Sequence, residues 1–175
     1  MLVGHSYAGS VINKVVEDVS DRVRCLVYVD AFVLDDGESV NDVVPPHYRQ
    51  LFSDLAKVST DETVRLPFDV WRAGFINDGD DELARSTYER LCPEPYAPII
   101  ERIDFTKFYS LPVPKSYILG DEDIGMPEGD QWGWRPRFTD RLGDHQFVEI
   151  CGGHETVFTN PKELAQAIIE AGLPR

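Results

Sequence analysis

The sequence predicts an α/β fold: a mostly parallel sheet flanked by helices, with a helical segment inserted between two of its strands. Three observations carry that expectation. Apolar runs at residues 1–3, 23–33, 113–119 and 146–150 read as strands, and the second is apolar on both faces, as a strand covered by helices on both sides must be. The order strand, helix, buried strand over the first 33 residues makes a βαβ unit, which needs parallel pairing. Residues 39–110, by contrast, are punctuated by Pro45-Pro46, Pro67, Pro93, Pro95 and Pro98 and show no strand signal of comparable strength. The expected organisation is therefore a core made of 1–38 and 111–175, with 39–110 as a helical cap.

The elements follow in order. Met1-Leu2-Val3 run into Gly4-His5-Ser6-Tyr7-Ala8-Gly9, a strand and a tight turn. Behind it Val11, Ile12, Val15, Val16 and Val19 recur at three-and-four spacing, which predicts one buried helical stripe with Asn13, Lys14, Glu17 and Asp18 on the opposite face. The next strand, 23–33, is interrupted by Asp30 near its end, and Asp35-Asp36-Gly37-Glu38 turns the chain away. Within the cap, 48–58 and 80–91 are weakly amphipathic, with Asn77-Asp78-Gly79-Asp80 as a turn before the second. Of its aromatic residues Trp71, Phe75, Tyr88 and Tyr96, the first two are assigned to a pocket, and His47 to the surface.

The sheet resumes with a strand that ends at Gly120, followed directly by Asp121, Glu122 and Asp123. Residues 131–142, with Trp132, Trp134 and Phe138, read as a helix broken near Pro136. The last strand, 146–150, leads into Cys151-Gly152-Gly153-His154-Glu155. Asn160 as N-cap, Pro161 at the first helical position and Glu163 reaching back start a final helix. Its expected buried residues are Leu164, Ala165, Ile168 and Ala171, and Gly172 stops it.

Composition narrows the function classes. The chain is 42% hydrophobic and 27% charged, as in a globular protein, and its 175 residues suffice for one full core. A formal net charge of -14 repels phosphate backbones and anionic lipid surfaces, so neither nucleic acid nor a membrane is expected as a partner. No apolar run approaches the ~20 residues of a bilayer span. Cys25, Cys92 and Cys151 are few and widely spaced, which predicts three buried thiols in a reducing, cytoplasmic setting and neither a disulfide framework nor a zinc site.

Chemistry concentrates at the carboxyl ends of the predicted strands, where open α/β sheets bind their ligands. Ser6 stands at the apex of a turn whose neighbours Gly4, Ala8 and Gly9 are small enough to let the backbone bend sharply, and it sits where a helix begins. There the Tyr7 N–H and the positive helix end face a developing oxyanion. A serine needs a base, and the base a carboxylate to fix its tautomer. His154 fits the base role better than His5, which precedes the serine and should point elsewhere, or His145, which lies at the wrong end of its strand. Asp121, Glu122 and Asp123 are candidates for the acid, with Asp30 behind them. Such chemistry needs no metal and no organic cofactor.

Residues 2–9 resemble the nucleophile elbow of the α/β-hydrolase superfamily, with Ala8 where glycine is usual. Residues 119–127 and 153–164 are similar to its esterase and hydroxynitrile lyase branch. The resemblance implies a triad of Ser6, Asp123 and His154. It also implies strands and an oxyanion loop upstream of the elbow, so Met1 is expected to be an internal start, a mis-called start or a fragment boundary, and the fold a partial α/β-hydrolase fold. In the lyases a lysine follows the catalytic histidine and a cysteine the serine; here those positions hold Glu155 and Tyr7. The expectation is a carboxylesterase for small neutral or apolar esters. Its rivals are a catalytically silent fold that acts by binding or assembly, and a lyase or carbon–carbon hydrolase on the same triad.

Overall fold

The computed structural model describes residues 1–173. Among the described residues six strands form in chain order: β1 (Leu2–His5), β2 (Leu26–Val29), β3 (Thr63–Val64), β4 (Glu94–Pro95), β5 (Lys115–Gly120) and β6 (Gln146–Ile150). Four of them build one sheet in the order β1-β2-β5-β6, parallel throughout, with Val3 opposite Val27, Val29 opposite Ile118 and Gly120 opposite Ile150. Parallel pairing places every carboxyl end on the same edge. The turn after β1, the acid loop after β5 and the His154 loop after β6 therefore converge.

Helices cover the sheet on both faces. Helix α1 (Ala8–Val19) lies on the face that carries Leu26, Tyr28 and Tyr117, and helix Pro161–Ala171 on the face that carries Val27, Val29 and Ile118. Side chains of adjacent β2 residues go to opposite faces, which is why an unbroken apolar run is needed there.

The details depart from the sequence reading in several places. Helix α1 has the expected span but a different buried face: Asn13 and Glu17 are buried with Ile12 and Val16, while Val11 and Val15 are 44% and 43% exposed. Polar partners set this rotation. Asn13 Oδ1 accepts from the Tyr28 hydroxyl, and Glu17 Oε1 accepts the Phe108 N–H at 2.9 Å. Strand β2 stops at Val29, short of the expected Val33, because Asp30 adopts a left-handed φ of +42°. Residues 31–34 stay buried as irregular chain, tied to β5 by the Tyr117 hydroxyl, which accepts the Ala31 N–H and donates to the Ala31 carbonyl.

Residues 131–142 are mostly turns with one helical turn, Arg137–Asp140, although Trp134 and Phe138 are buried as core residues. Asn160 precedes the last helix without capping it by its side chain; its amide donates instead to Cys151 O and Glu163 Oε2. That helix buries Ala167 where Ala165 was expected, since 164, 167 and 171 follow the i, i+3, i+7 line that faces the sheet. Of the cysteines only Cys25 is buried; Cys92 and Cys151 are exposed.

The segment inserted between β2 and β5 is mainly helical, including Pro46–Val58 and Asp81–Tyr88. It also holds a two-residue antiparallel pair, β3 with β4, too short to leave a pattern in the sequence. Tyr88 donates its hydroxyl to Leu66 O, and Tyr96 packs against the core. Among the described residues no helix is long and apolar enough to cross a membrane.

Candidate active site

Ser6 has a φ of +53°, rare for a residue with a side chain. The strain is held by three backbone bonds: Ser6 N–H donates to Val29 O, and Ser6 O accepts from the Gly9 and Phe32 N–H groups, each at 3.1 Å. Packing explains the glycines. A Cβ on Gly4 would lie 2.6 Å from Ala8 O, and one on Gly9 would run into Phe32 O. The turn thus lifts the serine hydroxyl clear of the sheet edge at the start of α1. Among the described residues no backbone carbonyl accepts the Tyr7 N–H, and the Tyr7 hydroxyl donates to Pro98 O.

His154 Nε2 lies 3.0 Å from Ser6 Oγ, and its Nδ1 lies 2.8 Å from Asp123 Oδ2. The imidazole is 1% exposed. With Nδ1–H donating to the carboxylate, Nε2 is left to accept the serine proton. Asp123 Oδ1 accepts the Gly125 N–H at 2.7 Å, so both oxygens of this buried carboxylate are engaged. Burial pushes the His154 pKa down, but the Asp123 charge and hydrogen bond overcome it and raise the pKa to about 9. Burial likewise pushes Asp123 up, and the facing imidazole outweighs it, leaving the carboxyl below its ordinary value.

The other candidate acids are placed elsewhere. Asp121 and Glu122 are exposed, and Asp121 Oδ1 accepts the Gly152 N–H. Asp30 is fully buried behind Asp123 and accepts the Gly120 N–H at 2.8 Å. Burial, together with the Asp123 charge, raises its pKa to about 8, so it stands as a neutral acid beside the ion pair.

His5 does not point away from the site. Its Nε2–H donates to the His154 carbonyl at 2.8 Å, and the two rings lie 4.7 Å apart. Burial and the neighbouring imidazole lower its pKa to about 4, so it is neutral at ordinary pH. Trp134 stacks on His154 at 5.4 Å and 8° between planes, a neighbour that nothing in the sequence pattern marks. His47 is exposed, and His145 lies at the amino end of β6.

A cavity of about 230 Å³ opens above Ser6 and His154. Trp71 and Phe75 line it, with Phe32, Tyr48 and Met126 among its other walls; Tyr88 and Tyr96 do not. Its lining is mostly apolar, with few groups to bind a charge. As for metals, ligand atoms of His5, His154 and Glu155 lie within 4.8 Å of one another. Both His154 nitrogens, however, face Ser6 and Asp123, and His5 Nε2 is bonded to a carbonyl, so the group is committed to hydrogen bonds. Asp121, Glu122 and Cys151 form a second cluster, exposed on the surface.

Known proteins share this architecture. The profile of the Alpha/beta hydrolase family matches residues 1–167. A carbendazim hydrolyzing esterase from Nocardioides sp. (strain SG-4G) is 27% identical over 186 residues, covering 98% of this chain and 71% of the relative. An extracellular alpha/beta-hydrolase from a Paenibacillus species superposes with a TM-score of 0.95 at 40% identity, over 99% of this chain and 72% of that one. It is described as sharing structural and functional homology with tobacco salicylic acid binding protein 2. Polyneuridine aldehyde esterase has the same fold at 17% identity, with a TM-score of 0.67 over 97% of this chain and 70% of its own.

Proposed function

The chain belongs to the alpha/beta hydrolase family, and on that premise we propose that it is a serine carboxylesterase acting on small neutral or apolar esters through Ser6, His154 and Asp123. One observation carries the proposal: the hydrogen-bonded line Ser6 Oγ, His154, Asp123 at the floor of an apolar cavity. The names of the Nocardioides esterase and of the Paenibacillus hydrolase support the reaction class.

In the first half-reaction Ser6 Oγ attacks the ester carbonyl while His154 Nε2 takes its proton. The developing oxyanion is met by the Tyr7 N–H and the amino end of α1. Collapse breaks the carbon–oxygen bond, and His154 returns the proton to the leaving alcohol. In the second half, His154 takes a proton from water as it attacks the acyl-serine carbonyl, then gives that proton to Ser6 Oγ as the acyl–Oγ bond breaks and the acid departs. Asp123 stays ionised and stabilises the imidazolium in each transition state. The inserted segment, 39–110, acts as a cap: Trp71 and Phe75 present apolar surface to the substrate, and the volume favours short acyl and alcohol groups. Glu155 stands beside His154 with an acidic side chain, which offers no cation to hold cyanide, so the lyase alternative gains no support. Exposed Cys92 and Cys151 thiols suit a reducing cytoplasm, which is part of this proposal.

The test is intact-mass analysis after exposure to a fluorophosphonate. A single adduct that disappears in Ser6→Ala and in His154→Ala is the expected outcome, and short-chain p-nitrophenyl esters should then turn over faster than long-chain ones. No adduct on a folded protein would refute the assignment.

A further inference from the structure

The loop that carries His154 is tied at two points to a four-residue stretch of the inserted segment, 75–78. Gly153 N–H donates to Asp78 Oδ2 at 2.9 Å, and Glu155 N–H donates to Phe75 O at 3.2 Å. The residues on both sides of the histidine are thus anchored to one stretch. That stretch also reaches the acid loop: Asn77 Nδ2 donates at 3.0 Å to the carbonyl of Glu122, the residue before Asp123. The Phe75 ring meets the His154 ring edge-on at 5.4 Å and lines the cavity as well.

The glycines record how closely the two parts approach. A Cβ on Gly153 would stand 2.7 Å from Asn77 Oδ1 and 2.8 Å from Asp78 Oδ1, and one on Gly152 would stand 3.2 Å from Asp78 Oδ2. The stretch is itself held in shape. It follows a π-helical turn, Trp71–Phe75, and Arg72 Nη1 donates to the carbonyls of Ile76 and Asn77 while its Nε pairs with Asp81. Insertions of this kind in helices recur at functional sites.

We infer that residues Phe75 to Asp78 form a positioning strap, which sets His154 against Ser6 and Asp123 so that the inserted segment governs the base as well as the pocket. The inference rests on the reading of His154 as the base. A ligand packed against Phe75 presses on the same stretch that supports the imidazole, which couples pocket filling to the geometry of proton transfer.

The experiment compares fluorophosphonate labelling rates across pH for the wild type, Asp78→Ala and Asp78→Asn, with thermal melting to check folding. Asp78→Ala removes the acceptor for Gly153 N–H, whereas Asp78→Asn keeps an oxygen there and removes only the charge. His154 is faced by Asp123, Asp30, Glu155 and His5; of these Glu155 also feels the Asp78 carboxylate, which both variants remove, so Asp78→Asn serves as the control for that electrostatic change. The expected result for Asp78→Ala is labelling slowed about tenfold or more, as small displacements of a reacting group cost, with the acid-side midpoint moved down as His154 loosens from Asp123. Asp78→Asn should remain within about threefold of wild type. Should Asp78→Ala not fold, Asn77→Ala, which cuts the tie to Glu122, should show the same direction of change. Wild-type rates and midpoints in Asp78→Ala or in that substitute, or equal losses in Asp78→Ala and Asp78→Asn, would overturn the strap. A wild-type protein that takes no label refutes the base assignment itself, a separate and recognisable failure.

Discussion

His154 receives a contact from every side: Ser6 and Asp123 at its two nitrogens, His5 at its carbonyl, Trp134 on its face and Phe75 at its edge. A ring enclosed in this way can rotate little, and its protonation is governed by the one full charge in direct contact, Asp123. On the proposed mechanism, only neutral His154 can take the Ser6 proton. Activity should therefore rise with pH through the His154 pKa, with a midpoint above the ordinary 6.5 because the partner carboxylate favours the cation. In Asp123→Asn the largest opposing influence is gone and burial is countered only by the weaker effects of Asp30 and Glu155, so the midpoint should move down. The maximal rate should also fall by roughly a thousandfold to ten-thousandfold, as when the orienting acid of such a triad is lost. A pH series of ester hydrolysis by the two proteins checks both the direction and the size; a midpoint unchanged by the substitution would contradict the account.

At the level of elements, α1 shows how polar partners can override an apolar stripe. Its valines at 11 and 15 face outward, whereas Glu17 is turned in to accept the Phe108 N–H and pairs with Lys14. Replacing Glu17 by leucine adds apolar surface to a buried position yet strands a buried N–H, a loss of about 1–3 kcal/mol. Val15→Ser, which looks harsher on the sequence pattern, should change stability by less than about 0.5 kcal/mol because the side chain is already at the surface. Denaturant melts of the two variants should show this order, and the reverse order would mean that α1 buries its valine stripe after all. The end of β2 follows the same logic. Residues 31–34 are as apolar as the strand before them, but the left-handed Asp30 ends the ladder and passes the chain under the Tyr117 hydroxyl.

For the whole molecule, three buried groups couple folding to pH. His154 holds a proton in the folded state up to about 9, against 6.5 as the ordinary value, and Asp30 holds one up to about 8, against 3.8. The folded state therefore holds an extra proton at Asp30 between about pH 4 and 8 and at His154 between about pH 6.5 and 9, so stability should decline most steeply where the two windows overlap and less steeply above about pH 8. His5 acts in the opposite sense: lowered to about 4, it stays neutral where the unfolded chain takes up a proton, which costs stability as pH falls below 6.5. Thermal melting should therefore fall from about pH 6.5 to pH 9, and Asp30→Asn should flatten the slope by removing one of its two sources. A melting temperature that climbs over the same range would contradict the assignment. The formal charge of -14 adds self-repulsion in the same direction as pH rises.

The sequence by itself determined what depends on neighbours along the chain. The strand, turn and helix around Ser6 follow from small residues at 4, 8 and 9 and from the three-and-four spacing after them, and the parallel sheet follows from helix-length separations between apolar runs. Ser6, His154 and the acidic loop could be singled out because each follows directly on a predicted strand, and parallel strands bring their carboxyl ends to one edge whatever the details of packing. Tertiary structure decided what depends on distances between remote residues. Asp121, Glu122 and Asp123 are equivalent on local grounds, and only the approach of β6 to β5 puts Asp123 at His154 while leaving the other two at the surface. The inward turn of Glu17, the bond from His5 to the His154 carbonyl and the strap from 75–78 each join groups about 70 to 150 positions apart in the chain. No local pattern encodes them, because their energy comes from burying hydrogen-bonding groups that must find partners once the sheet and its coverings have come together.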